Sequence, residues 1–199
     1  MFWKGCLLML LAVAAVHAQQ QEPEECRTPP PNWPKKPPQC CDVPFPLEGM
    51  KKQFGNCVKQ NGGPTSAVPT AKALADARMC LEECVYKGAG LKKQKGLDSG
   101  TIGDEFRKTL GNKKEWTAPV DKAIKSCMGA VGKFKVDTQC DSIPLEFSHC
   151  VMRELFLNCP SKQWKNTAEC NLVKGRMQIC PNIPPPPPPA PQQPPPRRA

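Results

Sequence analysis

Through the central part of the chain, apolar residues recur at steps of three and four, the spacing of amphipathic helices. Leu47, Met50, Phe54 and Cys57 mark a first helix from Leu47 to Lys59. After Gly62-Gly63-Pro64 a second opens at about Thr70, with Leu74, Ala77, Leu81 and Val85 on one face. Cys80 and Cys84 lie one turn apart beside that face, and Gly88 and Gly90 close the helix. A short helix is predicted at Gly103–Leu110, with Asp104 and Glu105 near its start. The next begins at Thr117 as N-cap with Pro119 in its first turn, and carries Val120, Ile124, Cys127, Met128 and Val131. Pro144 opens another, whose face holds Phe147, Cys150, Val151 and Leu155 and which ends near Cys159-Pro160. A last, weaker helix spans Thr167 to Met177. No segment sustains strand alternation. The pattern predicts an all-α fold, a compact bundle of about six helices.

Composition adds the compartment. The chain has 13 cysteines in 199 residues. Residues 1–18 read as a signal peptide: Lys4 in the n-region, an apolar run from Leu7 to Val16, and Val16-His17-Ala18 as the cleavage site. The run is too short for a membrane span, which needs about twenty residues. Removal of the 18-residue leader from 199 leaves 181 residues, and loss of Lys4 takes the formal charge from +10 to +9. Cys6 leaves with it, so 12 of the 13 cysteines remain, the arithmetic of six disulfides in an oxidising compartment. Zinc fits poorly, because no Cys-x2-Cys pair occurs and His149 is the one histidine of the mature chain.

Two proline-rich stretches bracket the helical region. Residues 19–41 form an extended N-terminal segment with Pro29-Pro30-Pro31 and Pro37-Pro38, pinned by Cys26 and Cys40. Residues 42–180 form the disulfide-stapled helical domain, and residues 181–199 a polyproline tail read as disordered, with six consecutive prolines at 184–189.

The cysteine intervals carry the strongest signal. From Cys57, 22 residues precede Cys80, three separate it from Cys84, 42 precede Cys127, 12 precede Cys140, nine precede Cys150 and eight precede Cys159. Cys80-x3-Cys84 puts two sulfurs on one helix face, so one helix can be stapled to two segments. The run Cys57, Cys80-x3-Cys84, Cys127, Cys150-x8-Cys159 resembles the six-cysteine framework of insect odorant-binding proteins. Cys140, Pro160 directly after Cys159, Cys170, Cys180 and the Cys40-Cys41 doublet before Val43-Pro44 resemble the plus-C subclass. That resemblance implies the bridges Cys57–Cys84, Cys80–Cys150 and Cys127–Cys159. Cys26, Cys40, Cys41, Cys140, Cys170 and Cys180 would form three further bridges of open pairing, with the adjacent Cys40 and Cys41 each reaching elsewhere.

The resemblance also implies a secreted carrier of small hydrophobic, odorant- or pheromone-like molecules in an internal helical cavity. Candidate wall residues are Leu74, Met79, Met128, Val131, Phe147, Val151 and Leu155. The alternative is a secreted cationic interaction or defence protein acting at membranes or glycans without an internal ligand. The basic pairs Lys51-Lys52, Lys92-Lys93, Lys113-Lys114 and Arg197-Arg198 are scattered along the chain. They read as solvated surface, or as attraction to a membrane receptor or an acidic surface. Nucleic acid is excluded as a partner because no helix concentrates the basic residues. His149 is a candidate pH switch. No cofactor is implied, and no catalytic constellation is apparent: His149 is the only base available to a nucleophile, and disulfide-bonded cysteines do not attack.

Overall fold

The computed structural model describes residues 23–61, 69–132, 138–181, 183 and 186. The expected leader, the Gly62-Gly63-Pro64 break and most of the polyproline tail lie outside the described residues. Among the described residues there are six α-helices: α1 Glu48–Asn61, α2 Ala71–Gly88, α3 Ser99–Leu110, α4 Thr117–Ala130, α5 Ile143–Leu157 and α6 Ala168–Ile179. The all-α bundle stapled by disulfides is thus the observed architecture.

Local chemistry accounts for most helix ends. Thr70 Oγ1 accepts from Ala73 N–H at 3.1 Å, and Thr167 Oγ1 from Cys170 N–H at 3.2 Å, so α2 and α6 start on threonine caps. Gly90 ends α2 with φ +72°, the left-handed turn that lets Leu91 N–H reach back to Tyr86 C=O at 2.9 Å. Helix α3 is longer than the sequence predicts. Asp98 caps it, accepting from Thr101 N–H at 3.0 Å, whereas the periodicity becomes apolar only at Ile102, Phe106 and Leu110. Thr117 is the first residue of α4 rather than its cap, because a 3-10 turn over Lys114–Trp116 leads directly into it.

Between α2 and α3 the chain makes a hairpin of two-residue strands, β1 Lys92–Lys93 and β2 Gly96–Leu97. It is antiparallel, with Lys92 opposite Leu97 and Lys93 opposite Gly96. Two residues per strand are too few to leave an alternating pattern in the sequence. The hairpin carries Lys92 inward: its Nζ lies 2.5 Å from Glu83 Oε1 and 3.0 Å from Asp141 Oδ2. Asp141 N–H donates to Glu83 Oε2 at 3.1 Å. Burial alone would raise the Glu83 carboxyl, but Lys92, Lys87 and the Asp141 N–H more than offset it and hold the group at about 2. Lys92 is therefore a nearly buried tie between α2, the hairpin and the approach to α5, not the solvated lysine that its Lys92-Lys93 setting suggests.

Helix α2 packs on α1 and α5, and α4 packs between α3 and α5. The main core gathers Leu47, Tyr86, Leu91, Ile102, Phe106, Trp116, Val120, Phe147, Val151 and Leu155. A second core joins Cys40 to Phe156, Cys170, Val173 and Met177, with Trp164 edge-on to Phe156 at 5.5 Å.

Six bridges staple these layers: Cys26–Cys180, Cys40–Cys170, Cys41–Cys159, Cys57–Cys84, Cys80–Cys140 and Cys127–Cys150. Cys57–Cys84 matches the pairing that the resemblance implies, and Cys40 and Cys41 do reach separate partners. Cys80–Cys150 and Cys127–Cys159 are not formed. Cys150 points from α5 toward α4 and meets Cys127 at a Cα separation of 5.7 Å. Cys80 instead meets Cys140, in the segment before α5, at 5.0 Å. Cys159, beyond the end of α5, is left facing the N-terminal segment and takes Cys41. The added Cys140 and Cys41 thus displace two family bridges, and the three long bridges bind residues 26–41 to the far end of the chain.

Candidate functional site

A cleft of about 570 Å³ opens between α1, α2 and α5, with Phe45 and Pro46 at one end. Helix α1 contributes Met50, Lys51 and Phe54; α2 contributes Arg78, Leu81, Glu82 and Val85; α5 contributes Leu145, Ser148, His149 and Met152. The α2 and α5 sets share the spacing i, i+3, i+4, i+7, one stripe on each of two helices in contact. The stapled α1–α2 pair is held by Cys57–Cys84, which fixes one wall. The cleft is open to solvent along one side, where Phe54 is 52% exposed. The resemblance implies an internal helical cavity; the structure presents this open groove.

Lys51, Arg78 and His149 interrupt the apolar walls, and one corner of the floor holds a chain of hydrogen bonds. There Ser148 Oγ donates to Glu82 Oε1, and Tyr86 Oη lies 2.9 Å from Ser148 Oγ. Because the serine has spent its one proton on the carboxylate, Tyr86 is the donor to it. Burial raises Glu82 above its ordinary value against the opposing pull of Ser148 and Arg78. Burial likewise raises Tyr86, keeping its phenol protonated. His149 sits at the rim, lowered by partial loss of water and by the neighbouring Arg78 charge.

None of the seven wall residues predicted from sequence lines this cleft. Phe147, Val151 and Leu155 lie in the main core, each at most 1% exposed. Leu74 is 46% exposed on the outer side of α2. Met79 is half-buried away from the cleft, Met128 borders a shallow hollow between α3 and α4, and Val131 ends α4. His149, singled out for its titration, is in place. The periodicity finds Met50, Phe54, Leu81 and Val85 but not the full cleft stripes, because Arg78, Glu82, Ser148 and His149 interrupt them and hydrophobicity alone ranks the uniformly apolar core stripes first. Their signal is the shared i, i+3, i+4, i+7 spacing.

A second groove, of about 540 Å³, runs between the N-terminal segment and α6, walled by Trp33, Pro34, Pro37, Pro38 and Val173. Of the two arginines that line it, Arg27 and Arg176, the second is committed to the carbonyls of Glu25 and Thr28. Among the described residues no cluster of three or more His, Cys, Asp or Glu could hold a metal ion, and no helix is long and apolar enough to cross a membrane.

Fold and site together define a disulfide-stapled helical protein with a groove sized for a small apolar guest. Known proteins point the same way. The chain is similar to general odorant-binding protein 68 of Anopheles gambiae, 24% identical over 193 residues, covering 90% of this chain and 86% of the relative. It is also similar to general odorant-binding protein 67 of the same species, 21% identical over 105 residues, covering 50% of this chain and 52% of the relative. No family model matches. At this low identity, the two likenesses support a relationship to insect odorant-binding proteins.

Proposed function

We propose that the chain is a secreted carrier of the plus-C odorant-binding kind, taking up one small hydrophobic molecule in the α1–α2–α5 cleft. The cleft carries this reading: it is walled by Met50, Leu81, Val85, Leu145 and Met152, has a volume suited to a small ligand, and stands on a scaffold of six bridges. Methionines at 50 and 152 suit a wall that adapts to several guests. The leader read in residues 1–18 and the disulfide count agree with release into an oxidising, extracellular space. The relatives' names agree with binding rather than catalysis.

Displacement of a fluorescent hydrophobic probe from the mature, disulfide-bonded protein tests the proposal. Odorant-sized apolar compounds are expected to compete, and Met152→Trp, which narrows the cleft, is expected to weaken probe binding. A protein that takes up no probe but is retained on heparin or lyses anionic vesicles is instead the cationic interaction protein.

A further inference from the structure

The polar corner of the cleft has a direction. Tyr86 O–H donates to Ser148, and Ser148 O–H donates to Glu82 Oε1. Tyr86 and Ser148 are 1% and 4% exposed, so neither turns to water for another partner. The second oxygen of the carboxyl, Glu82 Oε2, has no hydrogen bond among the described residues. The corner thus ends in one acceptor without a protein partner, on a residue that lines the cleft.

Resting on the carrier reading above, we propose that the cleft selects neutral apolar molecules bearing a hydroxyl group, whose O–H donates to Glu82 Oε2. We take Glu82 as ionised at neutral pH; a carboxylate accepts and cannot donate, so ethers and hydrocarbons leave it dehydrated and unpartnered. An anionic head group meets its like charge. A cationic one meets Arg78 and Lys51, which line the same cleft. A hydroxyl brings the missing donor with no charge of its own, and a site built to accept such a bond rejects the analogue that lacks it. Arg78, one turn before Glu82 on α2, lies near enough to influence the carboxylate yet forms no ion pair with it.

The test compares three ligands of one chain length, nonanol, nonyl methyl ether and nonanoate, by probe displacement at neutral pH on the mature protein and on Glu82→Leu. Nonanol is expected to bind about tenfold tighter than the ether, the scale of one hydrogen bond to a charged group. Glu82→Leu should bring that ratio near one by raising ether affinity, because no carboxylate is then left unpartnered. Equal binding of alcohol and ether by the wild type, tightest binding of nonanoate, or a ratio that survives in Glu82→Leu overturns the hydroxyl inference and leaves the carrier reading standing. Binding of none of the three overturns both. Should the variant not fold, the wild-type ratio decides alone.

Discussion

Leu155 and Met152 sit three residues apart on α5 and should respond oppositely to truncation. Leu155 is fully buried in the main core, whereas Met152 faces the cleft. Leu155→Ala removes three carbons from a packed interior, a transfer loss of about 2.4 kcal/mol. Incomplete collapse around the void adds ~1 kcal/mol, for a loss of about 3 kcal/mol. Urea unfolding without reductant, so that the bridges persist, should show a lower midpoint at an unchanged slope. Probe affinity measured well below the transition should be unaltered. Met152→Ala should cost roughly 1 kcal/mol or less, because the side chain is only partly enclosed, yet weaken probe binding several-fold. A Leu155→Ala protein of undiminished stability with impaired probe binding would refute the reasoning, since Leu155 would then wall a ligand space rather than the core.

Three further outcomes are expected. Lys92→Met takes from the partly exposed Asp141 carboxylate its one cation among the described residues and leaves Glu83 with Lys87 alone, and should cost about 2 kcal/mol in urea unfolding; a neutral effect would mean that the cluster is solvated. Glu83 lies at about 2 in the folded chain against an ordinary 4.5. Its contribution is therefore complete above pH 4.5 and fades as pH falls toward 2, and Glu83→Gln should flatten the acid limb of the wild-type stability profile. Peptide mapping without reduction should recover Cys80 joined to Cys140 and Cys127 joined to Cys150; recovery of Cys80 with Cys150 would restore the family pairing.

Much of the helical frame is legible in the sequence because it rests on local signals. The threonine caps at 70 and 167, Gly90, Pro144 and the three-and-four spacing each act within a few residues. The hairpin at Lys92–Leu97 is set instead by what Lys92 reaches, Glu83 on α2 and Asp141 nearly fifty residues on, so a doublet of lysines gave no hint of burial. The cleft as a whole escaped for a related reason. A binding stripe mixes Glu82, Ser148 and His149 with Leu81, Val85 and Met152, and hydrophobic periodicity favours the dry stripe of Phe147, Val151 and Leu155. Disulfide pairing was legible only where two helices pack in the family manner, at Cys57–Cys84. Elsewhere the added cysteines compete for the same sulfurs, and only their positions in space decide.

The bridges are nested: Cys26–Cys180 encloses Cys40–Cys170, which encloses Cys41–Cys159, which encloses the other three. A chain made from its N-terminus at about 5–20 residues per second can close Cys57–Cys84 within seconds of its emergence. Cys41 must wait for a partner 118 residues later, and Cys26 for one 154 residues later. Cys41 thus stays unpaired until the chain has passed α5, and Cys26 and Cys40 until it has entered or passed the final helix. Any product stopped short of Cys170 carries at least two of them free, so a cell that retains proteins by exposed thiols can tell a finished chain from a truncated one.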